Sequence, residues 1–546
     1  MVKRSVRVIA LCLTVAMLLG GCNLAECARQ ADNWVDSLGY DDLFVYSYED
    51  MVYERPDMEQ IGQILTESCE LAAAGENLNA VVSGIYDYYD AYDSFYTNFN
   101  LANIRYCGDM TDSYWEEEYN YCLENSPAVD AWLEDLYCAL AASPLREELE
   151  SDRYFGANYF DAYEGEGLWN EAFIALMEQE AQLQNEYYEL SGLAMEAEHY
   201  SDEYFTEYGA QMGQLYVELV KLRHEIAACA GYDSYVDFAY DFYYSRDFTP
   251  EQTDQYVEQI REELVPLYRD VMQSDLWDVG YEPCTEEEIM EYLRTCARRI
   301  GGNVAEAFYI LEEGRLYDIS YGEYKYNSSF EVYLDSYYEP FIFMNSGETM
   351  FDKLTLAHEF GHFANDYLCG GSLAGVDVSE VMSQGMEYMS LCYGDNTEKL
   401  EKLKLIDGLC TYVEQAAYAS FEQRVYEIDP EELTEELVYG LYEQVGLEFG
   451  FDSWEWDSRD FVMITHFFTH PMYVISYVVS GDVALQLYQM EKADLGAGRE
   501  RYQQMLENGD AYFLAFVEDA GMESPFAEGR LQAVRQTVEA VWNDEN

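Results

Sequence analysis

Residues 354–363 read LTLAHEFGHF and contain the pattern H-E-x-x-H. On a helix, His358 and His362 lie one turn apart on the same face, so both imidazoles can reach one metal ion. Glu359 projects beside that ion, where its carboxylate can take a proton from water. The alternative is a surface helix that happens to carry these residues. With only six histidines in the chain, the pattern arises by chance in roughly one comparable sequence in a hundred, so it predicts a catalytic metal site.

A catalytic zinc site usually has a third protein ligand in addition to a water. The metzincin pattern would place a glycine and then a histidine shortly after His362, but those positions hold Asn365 and Leu368, which excludes that class. Glu380 lies 18 residues after His362, far enough for the first helix to end and a second to return. On spacing alone two other acidic residues are rivals for this role: Asp377 and Glu387.

The sequence around the motif predicts a mainly α-helical protein. Apolar residues recur every three or four positions through 57–205, where only Pro127 and Pro144 are expected to interrupt the helices. The segments 332–334 and 341–344 have the residue types of short strands and lie next to turn signals. From 376 onward the pattern is helical again. We therefore expect a large helical protein with a small β-sheet beside the metal site.

The motif and its surroundings resemble the thimet oligopeptidase and oligoendopeptidase F family of zinc metallopeptidases. Residues 340–363, PFIFMNSGETMFDKLTLAHEFGHF, are similar to that family's strand, glycine turn and D-x-x-T-L-x-H-E-x-G-H helix. Residues 380–387 are similar to its E-x-x-S-Q-x-x-E helix, whose first glutamate is the third zinc ligand. Asp352 could orient a ligating histidine or could cap the helix. The resemblance implies one zinc ion per chain with three ligands: His358, His362 and Glu380.

A third segment, residues 465–481 (THFFTHPMYVISYVVSG), fits the same family. The family carries a histidine and two tyrosines here that bind substrate and stabilise the oxyanion, a task that needs a donor already in place. His470 is a rival for the histidine, and the spacing leaves open which tyrosine acts on the oxyanion. The resemblance covers about 205–490 and implies a zincin-type fold with a deep substrate channel. The matching residues are His466, Tyr473 and Tyr477.

The first residues are predicted to direct export. Three basic residues precede an apolar run, Val8 to Leu19, that is too short to span a bilayer. The run ends in Leu19-Gly20-Gly21-Cys22, which resembles the lipobox of bacterial lipoproteins, whose cysteine is lipidated. An ordinary secretory signal or an uncleaved anchor is the alternative. We expect an exported protein whose only membrane contact is a lipid on Cys22, at the outer face of the bacterial cell membrane.

The chain lacks internal repeats and Gly/Ser linkers, which argues for one continuous architecture. We divide it into four regions: a lipoprotein signal peptide (1–21), an acidic tether (22–55), an N-terminal helical region (56–205) and a catalytic metallopeptidase region (206–546).

The chain is strongly acidic, with 107 Asp and Glu against 29 Lys and Arg and a formal net charge of -78. A phosphate backbone would be repelled, so nucleic-acid binding is excluded. The acids are spread along the chain, which favours a solvated, self-repelling surface. Cation binding or a preference for basic ligands is the functional alternative.

We expect a zinc-dependent oligoendopeptidase that cleaves internal bonds of short unstructured peptides, with Glu359 as general base. The strand near 341–345 is expected to pair with the substrate backbone. A non-catalytic peptide-binding lipoprotein is the main alternative, but it would have no need of Glu359. A cation-binding structural protein and a thermolysin-like enzyme are further alternatives.

Overall fold

The computed structural model describes residues 45–543 except 152, 164–167, 197–207, 273–279, 372–373, 452–455 and 510–511. The predicted signal peptide and Cys22 therefore lie outside the described residues, as does the tether up to residue 44. The described chain is mainly helical with one small sheet, which confirms the predicted fold class. Among these residues we find no helix with the length and hydropathy needed to cross a membrane.

The N-terminal half consists of long antiparallel helices followed by shorter ones. The first helices pack around their own apolar core, which includes Leu65, Tyr88 and Leu136. In order, the helices are α1 (Met58–Ala74), α2 (Leu78–Gly108), α3 (Ser113–Ala141), α4 (Arg146–Leu149), α5 (Glu171–Glu196), α6 (Ala210–Cys229), α7 (Tyr235–Phe238), α8 (Pro250–Glu263), α9 (Val265–Val271), α10 (Glu286–Ile300) and α11 (Gly302–Gly314).

The C-terminal half follows a three-stranded sheet and shares one large apolar core with α5 to α11. Its strands are β1 (Tyr317–Asp318), β2 (Ser329–Leu334) and β3 (Glu339–Met344). Its helices are α12 (Asp352–Cys369), α13 (Val376–Tyr393), α14 (Glu398–Tyr426), α15 (Glu435–Phe449), α16 (Thr465–Thr469), α17 (Ile475–Ala493), α18 (Ala497–Met505), α19 (Phe513–Asp519) and α20 (Arg530–Asn543).

Pro127 lies inside α3 and does not interrupt it, contrary to the prediction. A proline removes one N–H and leaves the carbonyl four residues earlier without its helical partner. That carbonyl belongs to Leu123, and the Ser126 hydroxyl donates to it at 3.0 Å. A local side chain therefore supplies the missing hydrogen bond, so the helix continues.

Residues 45–55, predicted as the end of the tether, pack onto the fold instead. Met51 is only 3% exposed, and its carbonyl accepts a hydrogen bond from Arg105. The ring of Tyr48 lies 4.3 Å from that of Phe341, between centroids. The apolar side chains in this acidic stretch explain the difference, because they gain burial against α2 and the sheet.

The sheet has the order β1-β3-β2, so β3 is its central strand. It pairs with β1 in parallel through Ile342 and Phe343, and with β2 antiparallel along its whole length. The prediction that the strand near 341–345 accepts the substrate backbone is therefore wrong, because its pairing groups are already used. The outer strand β2 lines the cleft instead and is the edge open to an added strand.

Candidate active site

The predicted metal ligands come from two helices that touch at a glycine. Helix α12 carries His358, Glu359 and His362, and α13 carries Glu380. A Cβ at Gly361 would lie 2.4 Å from the carbonyl oxygen of Met382 in α13, closer than real Cβ contacts allow. The glycine therefore lets the two helix backbones approach closely enough for the side chains to meet.

Three of these side chains converge on one point. One donor atom from each of His358, His362 and Glu380 lies within 4.8 Å of the other two. The Glu380 carboxylate is 3.5 Å from Nε2 of His358 and 3.9 Å from Nε2 of His362. Two imidazoles and a carboxylate form a donor set that suits catalytic zinc. The residues present therefore fit one such ion.

The other imidazole nitrogens are held by neighbouring side chains. Nδ1 of His358 lies 3.0 Å from the Glu387 carboxylate, which is in turn paired with Lys404 at 2.7 Å. Nδ1 of His362 lies 2.8 Å from the Ser379 hydroxyl. Such contacts fix the ring orientation and direct both Nε2 atoms toward Glu380. On spacing alone, Glu387 was a rival for the role of third ligand. In the structure it contacts Nδ1 of His358 and so supports that histidine.

Asp377, the other rival, is not part of this cluster. Its carboxylate forms an ion pair with Arg246 at 3.0 Å. Asp352 also has a structural role, because its Oδ2 accepts from the Thr349 amide at 2.8 Å and from the Ser346 hydroxyl at 3.0 Å. It therefore fixes the turn before α12, and within the described part of the chain it makes no hydrogen bond to a histidine.

Glu359 sits beside the cluster with a shifted pKa. Burial raises the pKa of Glu359 to about 7, against the opposing effects of His358 and of the Ser329 hydroxyl, which donates to Oε1 at 2.7 Å. Burial and the neighbouring His358 lower the pKa of His362, which favours the neutral imidazole that a metal ligand needs. A carboxyl whose pKa is near 7 is well matched to proton transfer at neutral pH.

The predicted histidine and tyrosines lie in the same cleft as the cluster. The Tyr473 hydroxyl donates to Oε1 of Glu380 at 2.7 Å. The Tyr477 hydroxyl lies 3.2 Å from Nε2 of His466. Burial lowers the pKa of His466 to about 4, so this ring is neutral near pH 7. His470, the rival, also lines the cleft, with Nδ1 2.8 Å from the Thr469 hydroxyl.

Two buried arginines hold the segment that carries these side chains. Arg223 pairs with Glu180 at 2.6 Å and donates to the carbonyls of Phe467, at 2.8 Å, and Phe468. Arg246 donates to the Met472 carbonyl at 2.9 Å. Sequence reasoning missed both arginines, because their partners in this segment lie more than 200 positions away and no local motif marks them.

A buried glutamate completes this support. The Glu422 carboxylate accepts from the Met472 amide at 3.0 Å and is fully buried, and Met472 has a positive φ of 67°. Burial raises the pKa of Glu422 to about 8, although Arg223 and Arg246 act in the opposite direction.

The raised pKa of Glu422 predicts a pH-dependent contribution to stability. Between about pH 4.5 and 8 the folded state keeps this proton while the unfolded state releases it, so stability falls as pH rises through that window. Glu422→Gln keeps the acceptor for Met472 but cannot ionise. We expect the variant to gain stability relative to the parent from pH 5 to 8, by at most about 1.4 kcal/mol per pH unit. Denaturant unfolding of both proteins across this range checks it, and a constant difference would contradict it.

The three clustered ligands, Glu359 and the histidines and tyrosines of the segment 465–481 border one cleft of about 1180 Å³. Its walls come from both halves of the described chain, including Tyr96 of α2, the outer strand β2, and the ligands on α12 and α13. The arrangement places a metal-binding cluster, a carboxyl with a pKa near 7 and several hydrogen-bond donors around one space large enough for part of a peptide.

Comparison with known proteins extends the resemblance to the N-terminal helices. Residues 48–166 match the family model described as the Peptidase M3 N-terminal domain. This range lies outside the segment 205–490 that carried the resemblance in the sequence. No curated protein matches the chain.

Solved structures match the chain over nearly its whole length. A protein provisionally named oligoendopeptidase F is 22% identical, with 92% of this chain and 99% of that chain covered and a TM-score of 0.79. PZ peptidase A, solved with an inhibitor, is 21% identical, with 91% and 99% covered and a TM-score of 0.79. A Bacillus anthracis protein, also provisionally named oligoendopeptidase F, is 23% identical, with 92% and 99% covered and a TM-score of 0.76.

These likenesses confirm the resemblance predicted from the sequence, and the fold match covers both halves of the chain. Residues 48–166 are therefore similar to the Peptidase M3 N-terminal domain, and the chain has the fold of the oligoendopeptidase F structures.

Proposed function

We propose that this protein is a zinc-dependent oligoendopeptidase that hydrolyses internal bonds of short, unstructured peptides. The observation that carries the proposal is the convergence of two histidines and Glu380 next to Glu359, in a cleft of a peptidase M3 fold. A pure binding protein has no need of a carboxylate placed beside the cluster to take a proton from water.

Zinc fits the donor set best, and His358, His362 and Glu380 would hold it. When bound, the ion supplies Lewis acidity that activates water and polarises a carbonyl group. Glu387, Lys404 and Ser379 keep the two imidazoles in place for this role.

The chain's own side chains supply the proton transfers and the hydrogen bonds. Glu359 takes a proton from the attacking water and returns it to the leaving amine, with Ser329 holding its carboxylate in position. His466 and Tyr477 donate to the developing oxyanion, and Tyr473, bonded to Glu380, orients the third ligand. Arg223 and Arg246 fix the segment that carries these three residues.

The outer strand β2 provides a place for the substrate backbone. It lines the cleft from Ser329 to Tyr333, and its Ser329 touches Glu359. An extended peptide added to this edge would present its backbone to the catalytic residues with little dependence on side chains. A folded protein offers no free strand for this, which restricts substrates to unstructured peptides.

The proposal places the enzyme outside the cell, attached by a lipid on Cys22 to the outer face of the bacterial cell membrane. The support is the sequence of residues 3–22, with its basic start, apolar run and lipobox. Mass spectrometry of the mature N-terminus tests it, and an unmodified N-terminus beyond residue 22 would contradict it.

Hydrolysis of a mixed pool of short peptides by the protein from Asn23 onward tests the function directly. We expect internal cleavages, read by mass spectrometry. They should stop when a chelator removes the metal and return when zinc is added, because the ligand side chains cannot themselves act as the Lewis acid. Cleavage that survives chelation would contradict the metal role. Tight peptide binding without cleavage by the zinc-loaded protein would favour a peptide-binding lipoprotein.

A further inference from the structure

Two partly exposed cysteines lie on neighbouring helices of the N-terminal half. Cys69 belongs to α1 and Cys138 to α3, and both side chains carry a thiol rather than a disulfide. A thiol exchanges with an oxidant only where the oxidant can reach it. The partial exposure of both residues therefore makes them candidates for oxidation.

Two contacts set the alignment of α1 with α3. An added Cβ at Gly62 of α1 would lie 3.4 Å from the Trp132 ring of α3. Farther along both helices, the Ser143 hydroxyl donates to the Ala72 carbonyl at 2.5 Å. The chain advances by nearly the same number of residues between the two contacts, so the helices are parallel and in step. Cys69 lies between these contacts, and the facing turn of α3 lies between Trp132 and Ser143.

A third contact puts the sulfur of Cys69 at the level of Cys138. Cys69 Sγ lies 3.9 Å from the Asp135 carbonyl oxygen. Helical side chains tilt toward the start of their helix, so the Cys138 side chain lies over the turn that begins at Asp135. The electrostatics agree, because burial raises the pKa of Cys69 to about 11 and the charges of Asp135 and Cys138 raise it further.

Helix α3 also supports the aromatic wall of the cleft. Asp130, about two turns before Cys138, accepts from the hydroxyl groups of Tyr92 and Tyr96 of α2, at 3.1 and 2.5 Å. Both rings line the cleft. A covalent link between α1 and α3 would enclose α2 in a closed loop and restrict the unfolding of this wall.

We propose that Cys69 and Cys138 form a disulfide that joins α1 to α3. The oxidant is itself a disulfide, which accepts two electrons, and the predicted export would bring the chain into contact with such oxidants. The inference is independent of the proposed peptidase function, because neither cysteine belongs to the cleft wall that the structure describes.

The reaction is thiol–disulfide exchange in two steps. The thiolate of one cysteine attacks the S–S bond of the oxidant, which breaks as a mixed disulfide forms and one thiolate leaves. The thiolate of the other cysteine then attacks the protein sulfur of the mixed disulfide, and the second thiolate of the oxidant leaves. The protein loses two protons and two electrons, and the oxidant is reduced to two thiols.

Oxidation of the folded protein from Asn23 onward with oxidised glutathione, at about pH 8.5 to increase the thiolate fraction, tests the proposal. The remaining thiols are then alkylated and the protein is digested without reduction. We expect mass spectrometry to find the Cys69 peptide joined to the Cys138 peptide, and reduction before digestion to release both. Recovery of the two cysteines as alkylated thiols or glutathione adducts, or joined to other cysteines, would overturn the proposal.

Variants show what the link does. The oxidised parent should melt at least about 2 °C above the reduced parent, because the link restricts the unfolded chain. Cys69→Ser and Cys138→Ser should each lose this difference. Cys229→Ser is the matched control, since it changes a partly exposed cysteine of α6 and should keep both the link and the difference. A difference that persists in Cys69→Ser would assign it to another pair and contradict the proposal. The mapping of the link uses the parent alone, so a variant that misfolds does not affect it.

Discussion

Replacing Glu359 by glutamine is expected to lower kcat by about 10²- to 10⁴-fold, the size of a lost general base. The variant keeps the shape of the side chain and can still accept the hydrogen bond from the Ser329 hydroxyl. It removes only the ability to take and return a proton. Because Glu359 is not among the three clustered ligands, zinc content should remain at one ion per chain.

The measurement is hydrolysis of the mixed pool of short peptides, together with metal analysis and the melting temperature of the same samples. Glu528→Gln serves as the matched control, since it makes the same chemical change on the exposed surface. A Glu359→Gln protein that binds zinc and retains a tenth or more of the parent activity would rule out this residue as the base.

The parts of the site that the sequence predicted are local in the chain. His358, Glu359 and His362 share one helix, so the 3.6-residue period alone places them together. Glu380 follows one helix later, and spacing alone did not separate it from Asp377 and Glu387. The structure separates the three, because Asp377 pairs with Arg246 and Glu387 with His358 and Lys404.

The parts that were missed depend on contacts between distant segments. Lys404 and Ser379 support the imidazoles through packing that no periodicity encodes. The strand order was missed as well, because β1 has only two residues, too few to show an alternating pattern. Without β1, the strand at 341–344 would have β2 as its single neighbour and would be an edge strand, although it is central in the described sheet.

Replacing Gly361 by alanine is expected to be strongly destabilising and to weaken metal binding. The added Cβ would meet the Met382 carbonyl oxygen at 2.4 Å and the Ser383 Cα at 2.5 Å, both backbone atoms that cannot rotate away. Helices α12 and α13 must therefore separate, at a cost of about 1–3 kcal/mol or more for such overpacking. Their separation also moves Glu380 away from His358 and His362, which lowers the affinity for zinc.

The control is Gly440→Ala in α15, where an added Cβ would have no heavy atom within 4 Å. At this open helical position alanine should stabilise by up to about 1 kcal/mol, because it restricts the unfolded chain more than glycine does. The two substitutions are chemically identical, so their opposite effects on melting temperature isolate the contact between α12 and α13. Zinc affinity, measured by competition with a chromophoric chelator, should fall for Gly361→Ala alone. Equal melting temperatures and affinities for the two variants would mean that α12 and α13 can move apart freely, and that their close packing does not set the ligand geometry.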